Sequence, residues 1–161
     1  MEENILKEVA RERRLTKIID SPPDKVFNAW IDPLQLRAWW GPHDFTSREV
    51  MIEPRVGGKF SVEMEDEDGR IFPMRGVFHE FQEPSRLVFT TSVIYDPDGR
   101  PLEALNTIIF NGKEGGTEVV WAWKAIDPAP TAIVSVALMG FDKVTTDSLS
   151  RLSELMTRVS I

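Results

Sequence analysis

Few side chains in this sequence have the types and spacing that enzymatic chemistry needs. The two histidines, His43 and His79, are far apart in the chain, and neither has a second histidine at the spacing of a zinc site. Ser61, Ser92 and Ser135 have no base beside them in sequence, so a nucleophilic triad is not indicated. We therefore predict no catalytic residue, no bound metal and no cofactor.

Two further patterns could in principle bind ions or phosphates. The acidic run at 66–68 is followed by Gly69, which is typical of a hairpin turn with solvated carboxylates. The glycine-rich segment at 112–116 lies between two strand-like stretches and does not lead into a helix, as a phosphate-binding loop would. Both patterns are interpreted as turns.

Composition places further limits on function. The chain has 161 residues, 42% of them hydrophobic, and no cysteine, so it can form one domain with a substantial core but no disulfide or thiolate metal site. Its 26 acidic and 19 basic residues give a net charge of −7, which disfavours binding to nucleic acid. No apolar segment has the length of a membrane span, and residues 1–14 lack the apolar run of a signal peptide. We expect a cytoplasmic protein.

Most of the chain has the pattern of β-strands separated by short turns. Residues 59–65 alternate apolar and polar side chains, which is typical of a strand with one buried face. Gly76 interrupts a later strand and indicates either a bulge or a close approach by another element. Since short turns join consecutive strands, the sheet is predicted to be antiparallel. The other strand patterns lie at 8–19, 45–54, 71–81, 86–95, 107–111 and 117–125.

Two short helices are predicted after the first strand. Ser21, followed by two prolines, is expected to cap the first helix. Asp32-Pro33 begins the second, and the pair Gly41-Pro42 ends it, because proline cannot continue a helix and glycine accepts the backbone angles of a stop.

A long amphipathic helix is predicted at the C-terminal end, beginning between 131 and 141 and running to about 158. Its apolar positions recur three or four residues apart, so they form one stripe that must be buried against the sheet. Arg151 falls on the opposite face, and its truncation to alanine is predicted to leave stability almost unchanged. The stripe consists of Leu138, Phe141, Thr145, Leu149, Leu152, Met156 and Val159.

The order of elements predicts an α+β fold. A curved antiparallel sheet of six or seven strands would wrap around the long C-terminal helix, with the two short helices placed after the first strand. This arrangement is a helix grip.

Several segments, in their order along the chain, resemble those of one protein family. They lie at 21–30, 32–42, 57–60, 76–78, 83–90, 115–119 and 148–152. Together they resemble the activator of heat-shock protein 90 ATPase homologues, within the START-like (SRPBCC, Bet v 1-like) superfamily. The resemblance covers residues 8–158, interpreted as one domain after a tail of residues 1–7. Two positions depart from the family pattern: Trp123 stands where a histidine is frequent, and 143–145 lack a frequent Gly-Trp pair.

The resemblance implies a cavity between the terminal helix and the sheet, where related proteins hold lipids, sterols, polyketides or other apolar molecules. A strongly curved sheet and one helix leave a gap that large side chains must line or fill. The same side chains could simply fill the core, and Trp39 and Trp40 are expected to anchor the short helices on the sheet. The predicted ligand-contacting residues are Phe60, Val62, Met64, Met74, Phe78, Phe89, Trp121, Trp123, Met139 and Phe141.

Three classes of function stay open, and the favoured one is binding of an apolar small molecule. The family name implies a second class, a regulator of an Hsp90-type chaperone with a link to stress response. The family's eukaryotic activators carry an additional chaperone-binding domain, so we expect no ATPase stimulation by this chain alone. The third class is a hydrolase or cyclase acting in the cavity, and the oligomeric state is left open. Polar residues for such an enzyme would be drawn from Glu63, Arg75, His79 and Tyr95.

Overall fold

A computed structural model describes residues 12–94, 101–126 and 131–159, without the side chains of 94, 101, 131–140, 158 and 159. The helices are α1 (Pro23–Ile31), α2 (Pro33–Trp39) and α3 (Thr131–Val159). The strands are β1 (Glu12–Ile19), β2 (Thr46–Ile52), β3 (Lys59–Glu65), β4 (Ile71–Gln82), β5 (Arg86–Ile94), β6 (Pro101–Lys113) and β7 (Gly116–Ala125). The predicted elements agree with these bounds to within a few residues, apart from β6, which is predicted over 107–111 only.

The strands form one antiparallel sheet in the order β1-β7-β6-β5-β4-β3-β2. Strands β3, β6 and β7 bury alternate side chains; on β3, for example, Phe60 and Val62 are buried while Ser61 between them is partly exposed. We call the buried side the inner face and the opposite side the outer face. The buried residues of α3 belong to the same core as those of the inner face, and the helix also contacts β1, α1 and α2. The predicted α+β helix grip is confirmed.

Local hydrogen bonds and backbone conformation fix the ends of the second short helix, α2, and its contact with α1. A carboxylate oxygen of Asp32 accepts a 3.0 Å hydrogen bond from the backbone N–H of Leu34, which caps α2. After α2, Gly41 adopts a φ of 103°, a conformation that glycine reaches without a steric penalty. The indole N–H of Trp39 donates to the carbonyl oxygen of Ala29 at 2.9 Å, so this hydrogen bond fastens α2 to α1, whereas the prediction had Trp39 anchoring the helices on the sheet.

Ser21 does not cap α1, contrary to the prediction. Pro22 occupies the cap position, and no side chain bonds to the first turn of α1. Ser21 acts through its backbone instead: its carbonyl oxygen accepts a 2.7 Å hydrogen bond from the hydroxyl of Thr117 on β7. The segment that enters α1 is therefore tied to the sheet.

The buried stripe of α3 matches the prediction wherever its side chains are described, from Phe141 to Met156. The prediction for Arg151 is wrong. Its guanidinium is only partly exposed and donates to the carbonyl oxygens of Ala38, Gly41 and Pro42, because the end of α2 lies against this flank of α3. Helical periodicity alone could not reveal that a second element covers the flank. Leu138 and Val159 are outside the described side chains.

Gly76 lies where β4 and β5 approach closely, which confirms one of its two interpretations. A Cβ atom at this position would lie 1.8 Å from the carbonyl oxygen of Thr90. Only glycine fits such a gap without a shift of the backbone. The register shift on β4 occurs further along, between Phe78 and Glu80.

Candidate ligand-binding site

The inner face brings together the predicted ligand-contacting residues. Each of them whose side chain is described is buried in a single hydrophobic cluster. Met139 is outside the described side chains. From β3, β4, β5, β7 and α3 the cluster contains Phe60, Val62, Met64, Met74, Phe78, Phe89, Trp121, Trp123 and Phe141.

Aromatic rings fill the middle of this face. Phe60 and Phe89 have ring centroids 5.0 Å apart, and Trp121 lies 5.0 Å from Trp30 of α1 and 5.2 Å from Trp40. These separations are those of rings in direct contact. Trp40 therefore belongs to the inner-face cluster and does more than anchor α2. Trp30 also lies at its centre, although the sequence patterns did not single it out as a site residue.

A buried polar chain crosses the same region. The indole N–H of Trp121 donates to Oδ1 of Asn106 at 3.0 Å, and Nδ2 of Asn106 donates to the hydroxyl of Thr91 at 3.1 Å. Sequence analysis missed Asn106 and Thr91. Asn106 has inward parity with Leu102 and Ala104, and this signal becomes visible once β6 is extended back to Pro101.

Beside this chain, a row of small side chains crosses the inner face from strand to strand. Ala125 pairs with Ala104, Ala104 with Thr91, and Thr91 with Gly76. Cross-strand partners lie side by side on one face, so the four positions form a continuous row of low side-chain volume, which we call the furrow. Asn106 and Trp123 form one bank of this furrow, and Leu102 and Met74, each two positions along its strand, form the other. The three side chains that form its floor, Ala125, Ala104 and Thr91, are buried.

Two indole N–H groups in the cluster have no hydrogen-bond partner among the residues that the structure describes. They are Nε1 of Trp30 and Nε1 of Trp40, both buried from solvent. An unpaired buried donor costs about 1–3 kcal/mol. The inner face therefore retains polar capacity beyond the satisfied Asn106 chain.

An open groove of about 1140 Å³ lies on the outer face. Most of the side chains that line it alternate along the strands with those of the inner face. One row of cross-strand partners in the lining crosses five strands, from Met51 through Ser61, Arg75 and Ser92 to Glu103. Glu63, Arg75 and His79, suggested for catalysis in the cavity, thus line the opposite side of the sheet, and Tyr95 is outside the described residues. Inner-face residues also contribute to the lining of this groove, namely Phe60, Val62 and Met74 of the core and Gly76 and Thr91 of the furrow.

The loop after α2 is fixed to α3 around Asp147. Its Oδ2 accepts a 3.0 Å hydrogen bond from the backbone N–H of His43 and a 3.3 Å bond from Nζ of Lys143. Partial desolvation acts to raise the pKa of Asp147, but these donors outweigh it and hold the pKa below its ordinary value. Hydrogen bonds to Asp44 and Asp147 raise the pKa of Lys143. The imidazole of His43 is itself exposed, with Nε2 3.6 Å from the Asp147 carboxylate.

Two properties of the described residues bear on other kinds of function. No group of three or more His, Asp or Glu side chains among them is arranged to hold a metal ion. None of the helices in the same ranges combines the length and apolar character that crossing a bilayer requires.

Solved structures share this fold. A protein of Chromobacterium violaceum is 26% identical with a TM-score of 0.73, over 91% of this chain and 96% of that chain. Proteins of Nitrosomonas europaea and Rhodobacter sphaeroides are each 21% identical, with TM-scores of 0.77 and 0.79. The first covers 94% of this chain and 97% of its own, and the second covers 92% and 94%.

No curated protein matches the sequence. A family model described as "Activator of Hsp90 ATPase homolog 1-like protein" matches residues 20–157, which span nearly all of the described fold. The resemblance found in the sequence is thereby confirmed, and the chain belongs to the family of Activator of Hsp90 ATPase homolog 1-like proteins.

Proposed function

We propose that this protein binds an apolar small molecule that carries one polar group, in the inner-face furrow beneath α3. The observation that carries the proposal is the row Ala125–Ala104–Thr91–Gly76, where four neighbouring strands present three small side chains and a glycine within a core of larger side chains. Ligand sites of this kind are mostly apolar, with a few convergent polar groups that fix orientation.

The banks of the furrow suggest how such a ligand would be held. Its apolar body would lie on the small side chains between Trp123 and Met74. Its polar group would face the amide of Asn106 and the hydroxyl of Thr91, which are already ordered by their own 3.1 Å hydrogen bond. A ligand with a polar atom at this point would gain a further hydrogen bond to groups that are already ordered, and would bind more tightly than one without it.

Filling the furrow is the direct test. Ala125→Leu would place a larger side chain at one end of the row, while Ala122→Leu makes the same change on β7 at the opposite parity, where the side chain is only partly buried. We would titrate both variants and the wild type with the neutral fluorophore N-phenyl-1-naphthylamine. The proposal expects Ala125→Leu to lose binding while its thermal unfolding stays near wild type, and Ala122→Leu to bind normally.

If the core is already filled at this position, the leucine has no space. Overpacking a well-filled core typically costs about 1–3 kcal/mol. A marked loss of stability in Ala125→Leu, with no probe binding by the wild type, would therefore overturn the proposal. Separately, native mass spectrometry of the protein purified from its own cells would identify any natural ligand that it retains.

The family description supports a second candidate, regulation of an Hsp90-type ATPase. The two candidates separate in one assay, in which the host chaperone's ATPase rate is measured with and without the purified protein. Stimulation that persists in Ala125→Leu would favour regulation through a protein contact. No stimulation by a protein that binds the neutral probe would favour the furrow.

A further inference from the structure

We propose that the outer-face groove is a second binding site, which takes a small amphipathic molecule with one anionic head group. This inference rests on other side chains than the furrow does, because Ser61, Arg75 and Ser92 have the opposite strand parity, although Gly76 and Thr91 adjoin both sites. It begins with the arginines that line the groove.

Arg37, Arg48 and Arg75 all line the groove and are exposed. Within the described part of the chain, none of the three forms an ion pair or donates a side-chain hydrogen bond. Some arginines elsewhere on the described surface are paired: Arg70 bonds Asp66 at 2.7 Å, and Arg86 bonds Glu80 at 3.1 Å. The groove is thus lined by guanidinium groups whose N–H donors are available to bind a ligand.

The charge of the groove differs from that of the whole chain. Its lining has three arginines and one lysine against three glutamates, whereas the protein as a whole carries 19 basic and 26 acidic residues. Two of those glutamates, Glu49 and Glu63, are cross-strand partners at one end, and Glu103 lies at the other. The lining therefore has only a slight excess of positive charge, which favours a ligand with one negative charge, bound at Arg75, over one with several.

Arg75 has the neighbours that an oxyanion needs. Ser61 is its cross-strand partner on β3 and Ser92 its partner on β5, so a serine lies beside Arg75 on each neighbouring strand. Direct partners in an antiparallel sheet have Cβ atoms about 4.5–5.5 Å apart. The planar guanidinium can bond two oxygens of a carboxylate or sulfonate, and the hydroxyls can donate to the same group.

Apolar surface adjoins this polar centre. Met51 follows Ser61 along the same row and is 58% exposed, and Leu34 of α2, which also lines the groove, is 78% exposed. Val77, the next outward residue on β4, is 38% exposed. A head group at Arg75 would therefore have a hydrophobic body within reach on either side, and the groove volume of about 1140 Å³ is that of a small-molecule site.

A matched pair of fluorophores tests the head group. The first is 8-anilinonaphthalene-1-sulfonate, and the second, N-phenyl-1-naphthylamine, has the same body without the sulfonate. Arg75→Gln is expected to weaken binding of the sulfonate about tenfold, the effect of one lost charge-assisted hydrogen bond, and to leave the neutral probe unaffected. Arg14→Gln, an exposed arginine of β1 outside the groove, is the control and should change neither. Binding of the sulfonate should also weaken as salt is raised.

Further measurements distinguish the groove from the furrow, and a small-molecule ligand from a membrane surface. Arg37→Gln should weaken sulfonate binding by a smaller factor, and laurate, but not dodecanol, should displace the sulfonate probe. Sulfonate binding that survives Arg75→Gln but is lost in Ala125→Leu would place that probe in the furrow and overturn the proposal. A second result would also overturn the proposal: the wild type co-sediments with anionic vesicles, Arg75→Gln does not, and laurate fails to displace the sulfonate probe. The arginines would then bind a membrane surface and not a small molecule.

Discussion

Arg151 of α3 donates from Nη2 to the carbonyl oxygen of Ala38, 3.2 Å away in the last turn of α2. Its Nη1 reaches the carbonyl oxygens of Gly41 at 3.3 Å and Pro42 at 3.5 Å. The last carbonyls of a helix have no partner within the helix and carry partial negative charge. One side chain of the terminal helix thus satisfies the end of α2 and the loop that follows it.

Arg151→Ala should therefore destabilise the protein. Hydrogen bonds to charged groups contribute about 1.5–3 kcal/mol each, and partial exposure reduces this, so we expect a loss of about 1–2 kcal/mol. In a domain of this size, that lowers the melting temperature by a few degrees. Glu154→Ala removes an exposed side chain on the next turn of α3 and should stay close to wild type in urea unfolding. Equal stabilities for the two variants would contradict the role given to Arg151.

Asp147 should make stability depend on pH in the acid range. Because its pKa is lowered in the folded protein, its carboxylate contributes stability that is complete above its ordinary value of 3.8 and is lost as the pH falls below it, through the folded pKa. Asp147→Asn should flatten the fall of stability between about pH 4 and the acid limit. Asp20→Asn, an exposed residue after β1, is the control. The free energy of unfolding is measured in urea at a series of pH values. If it falls with pH as steeply in Asp147→Asn as in the wild type, the role given to Asp147 is refuted.

Leu152 should be among the most sensitive positions of α3. Its side chain is fully buried at 0% exposure, and replacing a buried leucine by alanine typically costs about 2–5 kcal/mol. Leu34→Ala makes the identical chemical change at a side chain that is 78% exposed, and should alter stability by less than about 0.5 kcal/mol. Thermal unfolding of the pair measures the packing of α3 on the sheet. Similar melting temperatures would mean that the helix does not pack as described.

Gly76→Ala should destabilise the sheet more than a glycine-to-alanine change usually does. The new methyl group would overlap the carbonyl oxygen of Thr90, which is part of the backbone and cannot turn aside. Separating β4 from β5 would cost at least the roughly 1–3 kcal/mol of an overpacked core. At Gly112 of β6 the same methyl group would meet only a side-chain carbon of Pro23 at 3.5 Å, an ordinary contact. Gly112→Ala is therefore expected to be tolerated, and chemical denaturation of both variants tests the difference.

The sequence predicted those parts of the fold that depend on local patterns. Alternation placed β3 at Lys59–Glu65 without error, and the spacing of Phe141, Leu149 and Leu152 identified the buried side of α3. Such patterns repeat within one element, so a single chain is enough to detect them.

Features that depend on contacts between distant elements could not be predicted in the same way. Asn106 looks like a poor strand residue, and only its bonds to Trp121 and Thr91, from two other strands, make its burial favourable. The start of β6 was missed for that reason, and with it the furrow. Arg151 was misplaced because no pattern within α3 indicates that α2 ends beside it.

The contacts among the tryptophans also give the protein a distinctive optical property. Trp30 lies 4.7 Å from Trp39 and 5.0 Å from Trp121, and Trp121 lies 5.2 Å from Trp40, measured between ring centroids. At such separations the excited states of neighbouring indoles couple, and excitation passes from ring to ring before light is emitted. The four indoles therefore act as one shared chromophore, whose exciton circular dichroism exists only while α1, α2 and β7 are assembled. Loss of that signal would report the opening of the core even where helix and strand content are unchanged.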